Sequence, residues 1–152
     1  MQVKHILRQK AGGVVTIAVG QTVHDAITKL NKHRIGALVV IGKDERIAGI
    51  ITERDILRTC GERCGQRLGQ EQDPSGPVLI DDVMTRELII GVPSDEVNYV
   101  MGIMTKNRIR HLPILDDGGL VGMVSIGDVV NAHLEEAHFE NRMLKGYVQG
   151  SS

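Results

Sequence analysis

Two stretches of the chain show the same succession of apolar patterns: a short continuous run, a polar turn, and then apolar residues at helical spacing. Runs of β-branched and aliphatic residues at positions 14–19 and 88–92 predict a first strand in each half. Each run precedes a polar turn and then apolar residues spaced three and four apart, a pattern typical of an amphipathic helix. These helical positions are Val23, Ala26, Ile27 and Leu30 in the first half, and Val97, Val100, Met101 and Met104 in the second. Thr22 and Ser94 precede them as predicted N-caps.

Two shorter apolar runs follow each helix and predict a pair of strands joined by a polar turn. The pairs cover residues 37–41 with 47–51, and residues 112–115 with 120–124. A second helix is predicted to begin at Thr52 or at Ser125, because hydroxyl residues favour helix N-caps. The last helix continues through residues 133–145, further than one repeat requires, which indicates contact with a partner.

Direct comparison shows that the two halves are copies of one unit. Residues 35–55 align with residues 109–128, so that Gly49 corresponds to Gly122 and Asp55 to Asp128. The segments ahead of the first strands also agree loosely, with residues 3–7 set against residues 80–84. Internal repetition at this spacing indicates a duplicated structural module.

The repeat predicts both the fold class and the domain boundaries. A β-α-β-β-α unit of about 55–60 residues cannot bury its own sheet, whereas two packed units can. We therefore predict an α/β (α+β) fold of two β-α-β-β-α repeats packed with pseudo-two-fold symmetry around two equivalent clefts. The predicted divisions are a first repeat with its leader at 1–60, a linker at 61–77, a second repeat at 78–133, and a C-terminal helix and tail at 134–152.

Composition and charge narrow the classes of function. The formal net charge of −1 gives no overall positive field for nucleic acid or an anionic membrane. No apolar run approaches the roughly 20 residues of a membrane helix, and the first residues lack a signal-peptide pattern. Cys60 and Cys64 do not have Cys-x-x-Cys spacing, which favours two reduced thiols over a metal or redox site. We expect a cytoplasmic protein with no metal, nucleic-acid partner or membrane partner.

Each half ends its strand pair with the same seven-residue frame, GIITERD in the first and GMVSIGD in the second. The glycine lets a backbone or a ligand approach closely, and the hydroxyl stands at a helix N-terminus suited to anionic oxygens. The acid lies one turn later, where a carboxylate can accept hydrogen bonds from two ribose hydroxyls. A Ser/Thr-x-x-Asp sequence is also a variant of the helix capping box. Occurrence of the whole frame twice favours a shared ligand geometry.

The paired frames resemble those of tandem CBS domains, which are named after cystathionine β-synthase and together form a Bateman module. The resemblance covers residues 3–130, and is closest to stand-alone pairs of the bacterial type. It implies a cleft that holds AMP, ADP, ATP, NAD or S-adenosylmethionine, and a flat homodimer of two pairs. Of these ligands we expect AMP or NAD, with ADP and ATP as alternatives.

The resemblance also implies roles for individual residues. Asp55 and Asp128 would hold ribose hydroxyls, with Thr52 and Ser125 near the ribose or phosphate. Residues that open the second strand would line the adenine and phosphate region, namely Ile35, Gly36, Ala37, Ile109, Arg110 and His111. Backbone groups near the adenine edge would come from Val14, Val15, Thr16 and Thr85.

Charge differs between the two halves at these positions. Arg54 gives the first half a bidentate phosphate partner, whereas the second half has Arg110 and His111 where the first has Gly36 and Ala37. The site with Ser125 and Asp128 is therefore predicted to bind phosphate more strongly than the site with Thr52 and Asp55. The alternatives are a solvated surface arginine at position 110 and a half-buried, backbone-bonded histidine at position 111.

Three functions follow from these features. The first is a non-catalytic sensor of adenine nucleotides that regulates itself or an unidentified partner protein. The second is a nucleotide-processing enzyme, which is disfavoured because no catalytic base lies near a nucleophile in the sequence motifs. The third is a structural dimerisation module with empty clefts.

Overall fold

The computed structural model describes residues 1–10, 12–62 and 76–150. The chain forms two compact units. One consists of Val14–Leu88 and is called here the Asp55 unit; the other consists of Met1–Gly13 with Ile89–Ser152 and is called the Asp128 unit. Cys64 and most of the predicted linker at 61–77 lie outside the described residues.

The Asp55 unit contains a three-stranded sheet in the order β1-β2-β3. Strand β1 (Thr16–Ala18) runs parallel to β2 (Ala37–Ile41), and β2 pairs antiparallel with β3 (Ile47–Thr52). Leu38, Val39 and Val40 are fully buried, as expected for a central strand covered on both faces. Helix α2 (Val23–His33) follows β1, and α3 (Glu53–Glu62) follows β3. The predicted strand pair and both helices are confirmed, and the first strand is shorter than predicted.

The Asp128 unit repeats this order around a two-stranded sheet. Its elements are α4 (Val97–Asn107), β4 (His111–Asp116), β5 (Gly119–Ser125) and α5 (Ile126–Gly150). The predicted division between residues 133 and 134 lies inside α5, which continues without interruption. Both units together give the mixed α+β fold that the repeat predicts.

The first strand predicted at residues 88–92 is reduced to a single parallel bridge between Gly91 and Ile114. The Gly91 N–H donates to the Pro113 carbonyl over 2.9 Å, and the Leu115 N–H donates to the Gly91 carbonyl over 2.9 Å. The next rung of a parallel ladder would need an N–H from Pro113 on one side of Gly91 and from Pro93 on the other, and proline has none. The equivalent bond in the Asp55 unit, from the Val19 N–H to the Ile41 carbonyl, is present. The predicted strand was therefore wrong because two prolines remove donors from the ladder.

The helix N-caps were predicted correctly in one unit and incorrectly in the other. The Thr22 hydroxyl accepts from the Asp25 N–H over 3.1 Å, which confirms Thr22 as the cap of α2. The N-cap of α4 is Glu96 rather than Ser94, and Ser94 lies in the preceding turn. The first N–H of α4, on Val97, donates to the Met1 carbonyl over 2.9 Å, so backbone from the leader replaces a side-chain cap.

The segment ahead of each repeat is called its leader: residues 1–13 for the first repeat and residues 76–88 for the second. Each leader packs on the repeat that it does not directly precede in the sequence. Helix α1 (Val3–Gln9) buries Val3 and Ile6 in the core of the Asp128 unit, although its sequence precedes the first repeat. The segment from residue 76 to residue 88 buries Val78, Ile80 and Met84 in the core of the Asp55 unit. In the structure, each leader therefore has an apolar face that completes the core of the repeat that does not follow it directly in the sequence.

Candidate functional site

The acids that end the two seven-residue frames, Asp55 and Asp128, are called here the signature acids, and the glycines that begin the frames, Gly49 and Gly122, the signature glycines. Each signature acid lies in the first turn of the helix that follows the strand pair. The Asp55 carboxylate accepts from the Thr52 N–H over 3.0 Å, while the Asp55 N–H donates to the Thr52 hydroxyl over 3.2 Å. The Asp128 carboxylate accepts from the Ser125 N–H over 2.9 Å, and the Asp128 N–H donates to the Ser125 hydroxyl over 3.1 Å. Both frames are thus reciprocal helix caps, as the capping alternative predicted.

The same reciprocal cap occurs at a third position, outside the repeated frame. At the start of α2 the Thr22 N–H donates to the Asp25 carboxylate over 3.0 Å, and the Thr22 hydroxyl accepts in return. Cap geometry alone therefore does not distinguish a ligand site from a structural helix end. The surroundings of Asp55 and Asp128 must make that distinction.

The signature glycines are sites of close approach by the leaders. A Cβ atom on Gly49 would lie 2.7 Å from the Thr85 carbonyl oxygen and 2.9 Å from the Met84 sulfur. A Cβ atom on Gly122 would overlap the side chain of Leu7. Leu7 and Met84 correspond in the sequence alignment of the two leaders, so the repeat extends to this contact. In each unit the glycine makes room for a leader.

Asp55 is almost completely enclosed by its own unit. The residue is 4% exposed, and its Oδ1 atom accepts from Arg58 over 3.0 Å and from the Thr85 hydroxyl over 3.1 Å. Its Oδ2 atom accepts from both the N–H and the hydroxyl of Thr52. Each oxygen of this carboxylate therefore already holds two donors. In this arrangement Asp55 joins β3, α3 and the leader segment.

Asp128 lies in a more open environment. Its side chain is 23% exposed, and its Oδ2 atom accepts from the Lys10 ammonium over 2.8 Å. Lys10 also donates to the Met123 carbonyl over 2.8 Å. Burial raises the pKa of the Asp128 carboxyl, but hydrogen bonds from Lys10 and Ser125 outweigh burial, so that the pKa lies below its ordinary value. This acid is therefore ionised, partly exposed and next to a cation.

Residues that open the second strand are brought to the same end of the sheet as the signature hydroxyls. His111 is paired with Ser125 across β4 and β5, and the Arg110 carbonyl accepts from the Ile126 N–H over 2.8 Å. The Asp55 unit repeats this, with Ala37 paired to Thr52 and the Gly36 carbonyl bonded to Glu53 over 3.0 Å.

The other predicted site residues fall into three groups. Arg54 and Arg110 are exposed, and His111 is half-buried. Ile35 and Ile109 are half-buried and come directly after the left-handed residues that end α2 and α4, while Val14 and Val15 are half-buried ahead of β1. Both the N–H and the carbonyl of Thr85 are bonded to Ile50 in an isolated antiparallel bridge. The Thr85 carbonyl has a second lone pair, so the predicted contact with an adenine edge stays a prediction.

A family model for the CBS domain matches residues 3–62 and 80–135. The chain belongs to the CBS-domain family. The resemblance inferred from the two signature frames is thereby confirmed. The mitochondrial CBS domain-containing protein CBSX3 of Arabidopsis thaliana is 43% identical over 85% of this chain, and the match spans 61% of that relative's length.

Two solved structures share the CBS-pair fold. A CBS-domain containing protein from Agrobacterium tumefaciens is 32% identical, with a TM-score of 0.76, and covers 87% of this chain and 92% of its own. The CBS-domain pair of protein MJ0100 is 25% identical, with a TM-score of 0.74, over 90% of this chain and 98% of its own. That structure is described as a complex with 5′-methylthioadenosine and S-adenosyl-L-methionine.

Two absences apply to the described part of this CBS pair. No helix within residues 1–10, 12–62 and 76–150 is both long enough and apolar enough to cross a membrane. Over the same residues, no three His, Cys, Asp or Glu side chains form a group that could hold a metal ion.

Sequence reasoning missed two basic residues beside the CBS signature acids. Lys10 is 118 positions from Asp128 and belongs to a leader that was assigned to the other repeat. Arg58 lies one helical turn after Asp55, a spacing at which an ion pair could have been predicted. The sequence held no sufficient signal for Lys10, because the alignment of the two leaders does not show which repeat each leader contacts.

Replacing Lys10 with methionine is expected to raise the pKa of Asp128, because the strongest donor to its carboxylate is removed while burial remains. In the wild type the folded-state pKa is depressed, so ionised Asp128 stabilises the fold above the unfolded value of about 3.9. That contribution is lost as the pH falls through the folded-state pKa. Carbon-13 NMR titration of the carboxyl group measures the shift. Lys4→Met, on the exposed face of the same helix, is the control; equal pKa values in both variants would contradict the prediction.

Proposed function

We propose that this CBS-domain pair is a non-catalytic regulatory module that binds a ligand containing adenosine. Its principal ribose-binding residue is Asp128. The observation that carries this proposal is the contrast between the two signature acids: Asp128 is 23% exposed at its side chain, whereas Asp55 is 6% exposed and fully bonded within its unit. The MJ0100 complex supports the ligand class, because both of its named ligands contain adenosine.

The chemistry of the Asp128 environment fits a ribose. An ionised carboxylate accepts hydrogen bonds from two vicinal hydroxyls, and such charge-assisted bonds are stronger than neutral ones. The Ser125 hydroxyl lies beside it, and the positive end of the α5 helix dipole favours anionic oxygen there. When a ribose approaches, the Lys10 ammonium keeps a second partner in the Met123 carbonyl, so that it need not leave the site.

The phosphate-bearing ligands AMP and NAD remain the proposed choices, with ADP and ATP as alternatives. Arg110 supports them because it is exposed and its carbonyl is bonded to the first residue of α5. His111 adds an imidazole one residue further, paired with Ser125. A guanidinium in this position can bind a phosphate through two parallel hydrogen bonds.

Replacing Arg110 with alanine is expected to reduce the preference for AMP over adenosine about tenfold, the loss of one charge-assisted contact. Calorimetric titrations of both ligands into both proteins measure this preference. Lys106→Ala removes an exposed cation from α4 and is the matched control. If Arg110→Ala prefers AMP by the wild-type margin, Arg110 is a solvated surface arginine.

A thermal-shift panel tests the proposed function as a whole. A ligand that binds only the folded state raises the melting temperature, by an amount set by its concentration relative to its Kd. We expect shifts with AMP, NAD, ATP or S-adenosylmethionine, and none with GMP. No shift with any adenosine ligand would favour the ligand-free dimerisation module. Conversion of a bound nucleotide, followed by chromatography, would favour the nucleotide-processing enzyme.

We propose that the functional form is a homodimer that acts on an unidentified protein partner. Support comes from α5, where large apolar side chains are exposed, including Leu134 at 50% and Leu144 at 65%. Light scattering at tens of micromolar tests the dimer, and a monomer with and without nucleotide would contradict it. The proposed compartment is the cytoplasm, although the Arabidopsis relative is described as mitochondrial.

A further inference from the structure

Most of α5 extends beyond the part of the helix that packs in its own unit. Its buried residues are Val129 and Ala132, both in the first two turns of a 25-residue helix. Beyond them the side chains of Leu134, Leu144 and Val148 are 50%, 65% and 68% exposed. An isolated helix with such exposed side chains gains stability mainly by packing against another surface.

Residues on one face of α5 follow the spacing of a coiled coil. The spacing alternates between four and three residues, which places them at the d and a positions of a heptad. In order they are Val130, Leu134, Ala137, Asn141, Leu144 and Val148. This set is called the α5 seam. The polar member, Asn141, occupies an a position, where a single asparagine selects a two-stranded, in-register arrangement at some cost in stability.

Charges beside the α5 seam favour parallel helices. Glu140 occupies a g position and Lys145 occupies the e position of the following heptad. In a parallel pair, g of one helix lies next to this e position of the other, so two Glu140–Lys145 contacts form between opposite charges. An antiparallel pair would place g residues against g residues and lose this match.

We propose that the α5 seam binds the same seam of a second copy of this chain as a short parallel coiled coil. The proposal rests on the proposed homodimer and specifies which surface holds it. Residues 130–148 span about 28 Å of helix, fewer than three heptads. A seam of this length is weak by itself, so the dimer is expected to depend on protein concentration.

A second apolar stripe on α5 provides an internal control. Phe139, Met143 and Tyr147 are 60%, 61% and 80% exposed, and lie about 130° around the helix from the seam. This stripe continues the face that carries Val129 and Ala132. Met143 and Leu144 are adjacent, similar in size and similarly exposed, and differ mainly in which stripe they occupy.

Disulfide trapping of the full chain distinguishes the two stripes. In a Cys60→Ser, Cys64→Ser background, Leu144→Cys and Met143→Cys are oxidised with oxidised glutathione. We expect covalent dimers predominantly with Leu144→Cys, because equivalent d residues meet only in a parallel, in-register pair. Equal or greater yield with Met143→Cys, or no covalent dimer with either, would overturn the α5 seam.

Charged substitutions give an independent measurement by analytical ultracentrifugation. Leu144→Glu is expected to raise the dimer Kd by about tenfold or more, because it buries a charge in the seam, whereas Met143→Glu changes it little. Glu140→Lys should weaken the dimer, and adding Lys145→Glu should restore it. A wild-type dimer that is equally sensitive at both positions would overturn the seam and leave the homodimer standing; a wild-type monomer would overturn both.

Discussion

Replacing Asp128 with alanine is expected to weaken binding of the adenosine ligand ten- to a hundredfold. The variant loses a charge-assisted acceptor for two ribose hydroxyls, worth on the order of 1.5–3 kcal/mol. Lys10 also loses its carboxylate partner, and becomes free to interact with a ligand phosphate, which would offset part of the loss for AMP but not for adenosine. Calorimetry with both ligands therefore measures the ribose contribution most directly with adenosine.

Asp25→Ala is the matched control, because Asp25 makes the same reciprocal cap at α2 but belongs to no signature frame. Both variants should lose a similar cap contribution of about 1 kcal/mol in stability. Only Asp128→Ala should lose affinity. Equal affinity of Asp128→Ala and the wild type would show that Asp128 is solely a helix cap.

Asp55→Ala separates the structural role from the ligand role. The family resemblance assigns ribose hydroxyls to Asp55 as well as to Asp128, so some loss of affinity is expected. The four donors around the Asp55 carboxylate predict a larger effect on stability, because Arg58 and Thr85 would both lose a buried partner. Asp55→Ala should therefore reduce folding stability more than ligand affinity, whereas Asp128→Ala should reduce ligand affinity more than folding stability.

Replacing Gly49 with alanine is expected to destabilise the Asp55 unit by about 2–3 kcal/mol, the upper range for inserting a methyl group into a packed site. The added Cβ would lie 2.7 Å from the Thr85 carbonyl oxygen. That carbonyl accepts from the Ile50 N–H over 3.0 Å, so it cannot move away without weakening the bond. The gain of about 0.5–1 kcal/mol from replacing a strand glycine does not offset this overlap.

Urea denaturation measures the change in folding stability, and alanine substitutions at two other glycines are the controls. Gly102 lies within α4 with no described atom within 4 Å of an added Cβ, so Gly102→Ala should be neutral or stabilising. Gly122→Ala should be less harmful than Gly49→Ala, because its neighbour is the flexible end of Leu7 rather than backbone. A Gly49→Ala protein as stable as Gly102→Ala would contradict the close approach.

Local patterns were sufficient to predict most elements of the fold. The strand pairs, the helices and the cap at Thr22 depend on residues close in sequence, where periodicity and side-chain chemistry act directly. The strand predicted at residues 88–92 failed because its pairing needs donors at Pro93 and at Pro113, and proline has no N–H. Pro93 directly follows the run and was a local sign against the strand, whereas Pro113 is more than 20 positions away and cannot be recognised as a partner from the run itself.

The candidate site was predictable in outline but not in its contacts. The two similar frames suggested two acids in similar surroundings. In the structure the surroundings differ, because the Thr85 hydroxyl donates to Asp55 whereas the Lys10 ammonium donates to Asp128. These contacts come from the leaders, whose short apolar patterns do not show which repeat they join. The correspondence of Leu7 with Met84 becomes informative only when both signature glycines are seen to receive them.

The exchanged leaders also determine the order in which the protein can fold during its synthesis. Residues 14–88 leave the ribosome before residue 89, so contacts within the Asp55 unit can form before the rest of the Asp128 unit is synthesised. Helix α1 emerges before them, yet its packing partners begin at residue 89 and include Val97 and Val124. Val3 and Ile6 therefore cannot pack in that core until residues 89–132 have been synthesised, and these sequence-distant contacts form late. Helix α1 is thus synthesised before the Asp55 unit, whereas the core that buries it is synthesised afterwards.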